Sequence, residues 1–156
     1  MLKDGKSIPA PILNQIVDFT KNFTIVCHHS KEETSLFPTL EKNGMPREGG
    51  PIARMLFEHE VTKELAAKME ESTKVYLVSG KTDPLVSDIR GYLDHVALHI
   101  AKENNRLFMM ADMILQSKAE QVSLDLVRSE EEKLKELGKT RRHYETLVDN
   151  IAKDLG

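Results

Sequence analysis

Two short stretches of the chain share a pattern of residues that can bind metal ions. Residues 99–108 repeat residues 28–37 without a gap, and each copy places a histidine four residues before a glutamate and ends in Leu-Phe. Residues at i and i+4 lie on one face of a helix, one turn apart. Imidazole and carboxylate together suit iron, manganese and zinc. One such pair is usually a solvated surface feature, but the matched pair predicts a metal site held between two helices. The pairs are His28 with Glu32 and His99 with Glu103.

The sequence does not decide which face of the helix that carries the first copy points into the bundle. Hydrophobic residues recur every three or four positions and predict a helix from about residue 11 to about residue 42. On an α-helix, however, Phe19 and Phe23 lie opposite His28. Either the helix has two buried faces, or the neighbouring pair points inward. The match to the second copy favours the first of two alternatives, which are His28 with Glu32 and His29 with Glu33.

Two further helices are predicted, and each brings a histidine to an apolar face. Pro51 follows Gly49-Gly50 and fits a first helical turn, so the second helix is expected to run to about Val78, with His59 on its apolar side. The third is expected from Asp83 to about Leu115, where the second copy of the motif shares a face with apolar residues. His95 lies one turn before His99 and is interpreted as a histidine bonded to water. Met109, Met110 and Met113 are interpreted as core filling.

The composition predicts one all-α domain spanning residues 1–156. The chain is 30% charged and 5% aromatic, without tryptophan, which is typical of a helical bundle. A net charge of -3 argues against nucleic acid as a partner. The single Cys27 excludes an internal disulfide and predicts a reducing, cytoplasmic location. No apolar run approaches the roughly 20 residues of a membrane span, and no signal peptide is evident, so no membrane partner is expected.

The two ends of the chain differ in pattern from its middle. Residues 1–11 contain glycine and two prolines and are predicted to be an irregular lead-in. Residues 117–156 are predicted to be a charged helical segment that breaks or kinks at Gly138 and carries Tyr144, Val148 and Ile151 on one apolar side. His143 lies beside this side.

Three motifs in order, HHSKEETSLFP, GGPIARMLFEHE and HIAKENNRLF, resemble the hemerythrin-like, His-His-Glu cation-binding domain. The resemblance runs from Gly5 to about Tyr144. It implies an up-and-down four-helix bundle that holds a non-haem di-iron centre. The ligands that the resemblance implies are His28, Glu32, His59, His99 and Glu103.

The amino-terminal end departs from this family pattern. Members usually have an earlier helix with a Glu-His pair, whereas residues 1–11 resemble the loop after that helix, so the ligand set is one histidine short. Inward polar groups on three helices are costly to leave unpaired, so something must close the bundle. We predict that the carboxy-terminal helix does so, within the chain or exchanged across a homodimer. His143 then joins the predicted metal ligands, with His95 or no residue at all as the alternatives.

The predicted function is that of a non-haem di-iron protein that binds O₂ or NO, or senses iron or redox state. Two iron ions are expected, with manganese or zinc as alternatives, and Glu32 and Glu103 could bridge them. The expected partner is a small diatomic molecule or peroxide. Enzymatic activity is left open. The alternatives are a di-iron enzyme acting on peroxide or in iron-sulfur repair, and a metal-free helical interaction protein.

Overall fold

Residues 7–155, the part of the chain that the computed structural model describes, form helices and no strands. The first helix, α1, spans residues 10–42. It is followed by α2 (Pro51–Ser79), α3 (residues 83–115), α4 (Ala119–Glu136) and α5 (Arg141–Leu155). The first four pack as a bundle, and α5 lies against α1. The all-α helical bundle predicted from the sequence is therefore confirmed.

The helix ends follow from proline and glycine. Pro11 and Pro51 lie in the first turns of α1 and α2, where the missing N–H costs least. Gly80 ends α2 in the left-handed conformation, at φ 71°, and its N–H donates to the carbonyl oxygen of Tyr76 at 2.8 Å. The predicted bounds of the first three helices agree with the structure to within about one residue. Of the predicted lead-in, residues 1–6 lie outside the described part, and α1 already begins at Ala10.

The two helices that carry the repeated motif are not α-helical throughout. In α1 the segments Phe19–His29 and Glu32–Leu36 are π-helical, and in α3 the segment Glu103–Leu107 is π-helical. A short π turn therefore starts at the glutamate of both copies and ends at the leucine. Such turns are rare and are frequent at functional sites. The repeat in the sequence is thus also a repeat in backbone conformation.

Two hydrophobic clusters lie on either side of the repeated motifs along the bundle. One contains Phe37, Leu40, Ile52 and Leu107, among others, and the second contains Leu13, Tyr76 and Leu85. Because the polar residues of the motifs fall between these clusters on all three helices, they are enclosed at both ends by apolar packing. The buried polar residues of the motifs therefore lie in apolar surroundings at both ends.

The carboxy-terminal segment closes one side of the bundle from within the chain. Gly138, at φ 65°, ends α4 and produces the predicted break. Leu134 of α4 and Tyr144 and Leu147 of α5 cover Cys27 on α1. The ring of Tyr144 lies 5.2 Å from that of Phe23 between centroids. The prediction that this segment completes the bundle is confirmed, but the predicted place of Val148 is wrong, because Val148 is exposed and Leu147 packs beside Tyr144 instead.

The predicted role of the methionine stripe on α3 is wrong. Met109, Met110 and Met113 are all exposed rather than buried, because α4 covers the opposite side of this helix, where Ala111 and Leu115 pack. None of the helices in residues 7–155 is long and apolar enough to cross a membrane.

Candidate metal centre

Four buried side chains from three helices meet between the hydrophobic clusters. They are Glu32 of α1, His59 of α2, and His99 and Glu103 of α3. One potential ligand atom of each lies within 4.8 Å of the corresponding atom of every other, and no member is more than 3% exposed. The Nε2 atom of His99 lies 2.9 Å from Glu103 Oε1, and the Nε2 atom of His59 lies 3.3 Å from Glu32 Oε2. The structure therefore brings four of the predicted ligands together.

A third buried histidine, His29, belongs to an overlapping group with His59 and His99. Its ring stacks on that of His59, with centroids 3.9 Å apart and planes 5° apart. Burial, followed by the effect of the neighbouring histidines, lowers the pKa of His29 to about 2. The ring is therefore neutral at physiological pH, and a nitrogen lone pair is available to a cation.

His28, the histidine preferred from the sequence, lies at the rim of this cluster. Its side chain is 35% exposed, and its Nε2 atom is 3.8 Å from Glu32 Oε1. The cause is the π-helical segment Phe19–His29, because each residue there turns by less than the 100° of an α-helix and the phase of the motif shifts. The structure thus joins His29 with Glu32, a combination that neither sequence alternative contained.

The two histidines considered as replacements for a missing ligand lie elsewhere. His95 donates from Nε2 to the backbone carbonyl oxygen of Glu58 at 3.0 Å, and the same atom lies 3.0 Å from Thr62 Oγ1. His143 is exposed on α5, and its ring packs edge-on against Tyr144. The structure does not bring His143 to the cluster, because α5 turns Tyr144 rather than its neighbour towards α1.

Two outer carboxylates, Glu33 and Glu58, fix the orientation of the inner histidines. Glu33 Oε1 accepts from Nδ1 of His59 at 2.7 Å, and Glu58 Oε2 accepts from Nδ1 of His99 at 3.1 Å. With the proton on Nδ1, each Nε2 lone pair points towards Glu32 and Glu103. Histidines that bind metals usually donate their other ring N–H to a carboxylate in this way. The sequence offered one signal for Glu58, which is a charged residue beside His59 in the second motif.

Three neighbouring side chains stabilise the negative charge of Glu58. Arg54 Nε and Lys102 Nζ each donate to its Oε1 atom at 2.5 Å, and His99 donates to Oε2. Burial alone would raise the pKa of Glu58, but the hydrogen bonds from Lys102, His99 and Arg54 outweigh it and lower the pKa to about 2. Glu58 is therefore ionised at neutral pH.

Inside the cluster, His99 and Glu103 shift each other's pKa in opposite directions. Burial would lower the pKa of His99, but the adjacent carboxylates of Glu103 and Glu58 raise it overall. Burial would raise the pKa of Glu103, but His99 lowers it overall. In the absence of a cation, each of the two side chains thus favours the charged form of the other.

The polar atoms of the cluster are left without hydrogen bonds in a way that suits a cation. Buried polar atoms rarely lack a partner. Within residues 7–155, six buried side-chain nitrogen or oxygen atoms lack one, and five of them belong to this centre. Imidazole nitrogen and carboxylate oxygen fit iron, manganese or zinc, so the residues present fit a metal ion. The five atoms are His29 Nδ1, Glu32 Oε2, His59 Nε2, His99 Nε2 and Glu103 Oε1.

Comparison with known proteins agrees with this geometry. The family described as Hemerythrin HHE cation binding domain matches residues 2–111, which include all three motifs. Searches of curated proteins and of solved structures found no match. Since the match covers more than half of the 156 residues, the chain belongs to the hemerythrin HHE cation-binding domain family.

Proposed function

We propose that the protein binds two iron ions at this centre and uses them to bind O₂ or NO, or to sense iron or redox state. The observation that carries the proposal is the set of five unpartnered nitrogen and oxygen atoms aimed at one buried space. Isolated polar groups cost several kcal/mol, by rough estimate, when they are buried without a partner. A cluster of this kind is therefore best explained by a cation.

The number of donor atoms supports a centre that keeps room for a small ligand. His29, His59 and His99 offer one nitrogen each, and Glu32 and Glu103 offer two oxygens each. Five side chains thus supply at most about seven donors, whereas two octahedral ions have about twelve positions. Iron in such a site supplies reversible binding of small ligands and one-electron redox chemistry.

The side chains of this chain would set the conditions for that chemistry. Glu33 and Glu58 hold the proton on the outer nitrogens of His59 and His99 and so keep the inner nitrogens free. Glu32 and Glu103 are the two buried carboxylates of the cluster and would help to hold the ions. The apolar clusters on either side limit the contact of these carboxylates with bulk water. His28, at the partly exposed rim, is placed to contact a ligand that enters from solvent.

The proposal is tested by the visible absorption spectrum of iron-loaded protein before and after addition of O₂, NO or hydrogen peroxide. We expect a reversible spectral change with O₂ or NO, which Glu103→Gln abolishes. Glu130→Gln is the matched control, since Glu130 is also buried but pairs with Lys31 and Arg141 away from the cluster.

The outcomes of this test separate the alternatives. Catalytic consumption of peroxide, with no reversible ligand binding, would identify a di-iron enzyme instead. Iron-loaded protein that responds to none of the three would refute the proposed ligand chemistry. A cytoplasmic location remains part of the proposal, on the basis of the single cysteine.

A further inference from the structure

We propose that a cavity between α1 and α3 binds a small, uncharged, apolar organic molecule and holds it against the histidines of the metal centre. The cavity has a volume of about 440 Å³, within the range of about 300–1,000 Å³ that is usual for ligand sites. This inference deepens the proposed function and rests on it for the presence of iron. The cavity itself is formed by the protein alone.

The walls of the cavity select for an apolar, uncharged ligand. Phe19 and Phe23 line it from α1, and Ile89, Val96 and Ile100 line it from α3. No aspartate, glutamate, lysine or arginine is among the described residues that line it. A charged ligand would lose its hydration there without gaining an ionic partner, which is strongly unfavourable. An aliphatic or aromatic molecule would gain from the burial of its surface.

The polar groups at one end of the cavity connect it to the metal centre. His28, His29 and His99 all line the cavity, and His29 and His99 also belong to the cluster. His29 is only 2% exposed, and its Nδ1 atom has no hydrogen-bond partner. A ligand that carries one hydroxyl group could place it at this end, beside the partly exposed ring of His28, while its apolar part fills the remainder.

The size of the cavity favours a small molecule over a helix from another protein. The wall on α3 between Ile89 and Ile100 rises about 16 Å, or three helical turns. A helix lying along this wall would present about three turns, and three turns of a cylinder about 10 Å wide, roughly 1,270 Å³, exceed the space of about 1040 Å³ that the walls bound. At about 30 Å³ for each water-sized group, it holds roughly fifteen non-hydrogen atoms.

The cavity is also accessible from the surface. Leu93 lies at its edge and is 58% exposed, and Ile100 is exposed as well. A ligand can therefore enter from solvent past these apolar side chains.

The test measures binding of the neutral fluorophore N-phenyl-1-naphthylamine to the full chain, without metal and with Mn²⁺ bound. We expect saturable binding of one molecule per chain in both states, and displacement by 1-decanol. Val96→Trp fills the cavity and should weaken binding of the fluorophore at least tenfold. Leu93→Trp, at the exposed edge, is the second variant should Val96→Trp fail to fold, and should also weaken binding.

Leu98→Trp is the control because Leu98 is on the same helix, is 61% exposed and does not line the cavity. Equal binding to Leu98→Trp and both cavity variants, or no saturable binding to the wild type, would overturn the proposal.

In the Mn²⁺ form, the proton resonances of bound 1-decanol should broaden because the ion is near. Displaceable binding without broadening in protein shown to hold Mn²⁺ would overturn the contact with the metal centre. Fluorophore binding in protein that takes up no metal would instead refute the proposed function and leave the cavity as a ligand site.

Discussion

Replacing Glu58 with glutamine tests whether an outer carboxylate controls the affinity of the centre for metal. Glu58 contacts no predicted metal position itself, but it holds Nδ1 of His99 at 3.1 Å. Glutamine has nearly the same shape and keeps an oxygen that can accept from this nitrogen. The substitution therefore removes the negative charge and leaves the hydrogen bond, so that any loss of affinity reports on the charge.

The expected loss follows from the burial of the carboxylate. Outer partners of metal ligands typically contribute 10–100-fold to affinity, or about 1.4–2.8 kcal/mol. The side chain of Glu58 is only 2% exposed, so water screens its charge little, and we expect the upper half of this range. Arg54 and Lys102 lose their partner, but both are more than a third exposed and can be hydrated. The variant should therefore stay folded.

The assay is competition for Fe²⁺ or Co²⁺ with a chelator of known affinity, under anaerobic conditions. Glu60→Gln is the matched control, since Glu60 lies on the same helix but is mostly exposed and pairs with Lys63. Glu33→Gln provides a graded comparison. The side chain of Glu33 is 29% exposed, so water can partly replace it and the expected loss is smaller, on the order of threefold.

Wild-type affinity in Glu58→Gln would refute this reasoning, as would a larger loss in Glu33→Gln than in Glu58→Gln. Melting temperatures of all four proteins without metal provide the necessary check. A large drop for Glu58→Gln alone would show that the carboxylate acts on the fold rather than on His99.

Three further predictions concern the ligands, the coupling of metal to stability, and the carboxy-terminal ion pairs. His29→Ala should remove most of the bound metal, whereas His28→Ala and His143→Ala should retain most of it, as measured by elemental analysis. A larger loss of metal in His28→Ala than in His29→Ala would restore the pairing preferred from the sequence. Removing metal with a chelator should lower the melting temperature, because ligands from three helices converge only in the folded state. At a metal concentration 1,000-fold above Kd the bound metal stabilises the fold by about 4 kcal/mol, which raises the melting temperature by roughly 8–16 °C. An unchanged melting temperature would contradict this coupling. Burial would raise the pKa of Glu130, but Lys31 and Arg141 outweigh it and lower the pKa below its usual 4.5. A carboxylate whose pKa is lowered in the folded state stabilises the fold above its unfolded pKa, and this stabilisation is lost as the pH falls through the folded value. Glu130→Gln should therefore reduce the free energy of unfolding by about 2 kcal/mol at pH 7 and by progressively less as the pH falls below 4.5. Urea unfolding of the wild type and Glu130→Gln at pH 7 and below pH 4.5 measures this effect. An equal difference in unfolding free energy between the two proteins at both pH values would count against the ion pairs.

The features that could be predicted from the sequence are those with a local cause. Pro51 and Gly80 set the ends of α2 through the geometry of their own backbone, so the helix could be located in advance. The repeated motif identified Glu32, His99 and Glu103 because a matched pair of residues at i and i+4 needs no knowledge of the rest of the fold.

The features that could not be predicted depend on contacts between helices or on an unusual backbone. The choice of His29 over His28 results from the π-helical segment before it, and hydrophobic periodicity read at the α-helical repeat does not reveal such a segment. The role of Glu58 depends on Lys102 and His99, which are more than 40 residues away in the chain. Likewise, nothing in the pattern of α3 shows which side α4 will cover, and so the exposure of Met113 was missed.

The central claim is that the buried cluster of histidine and glutamate binds metal. The most direct test is the iron content of protein reconstituted anaerobically with Fe²⁺ and then desalted, for the wild type and the double variant Glu32→Gln/Glu103→Gln. We expect up to two iron ions per chain in the wild type and less than about a tenth of that in the variant, because both carboxylates with unpartnered buried oxygens are removed. Equal iron content in folded samples of the two proteins would contradict the claim.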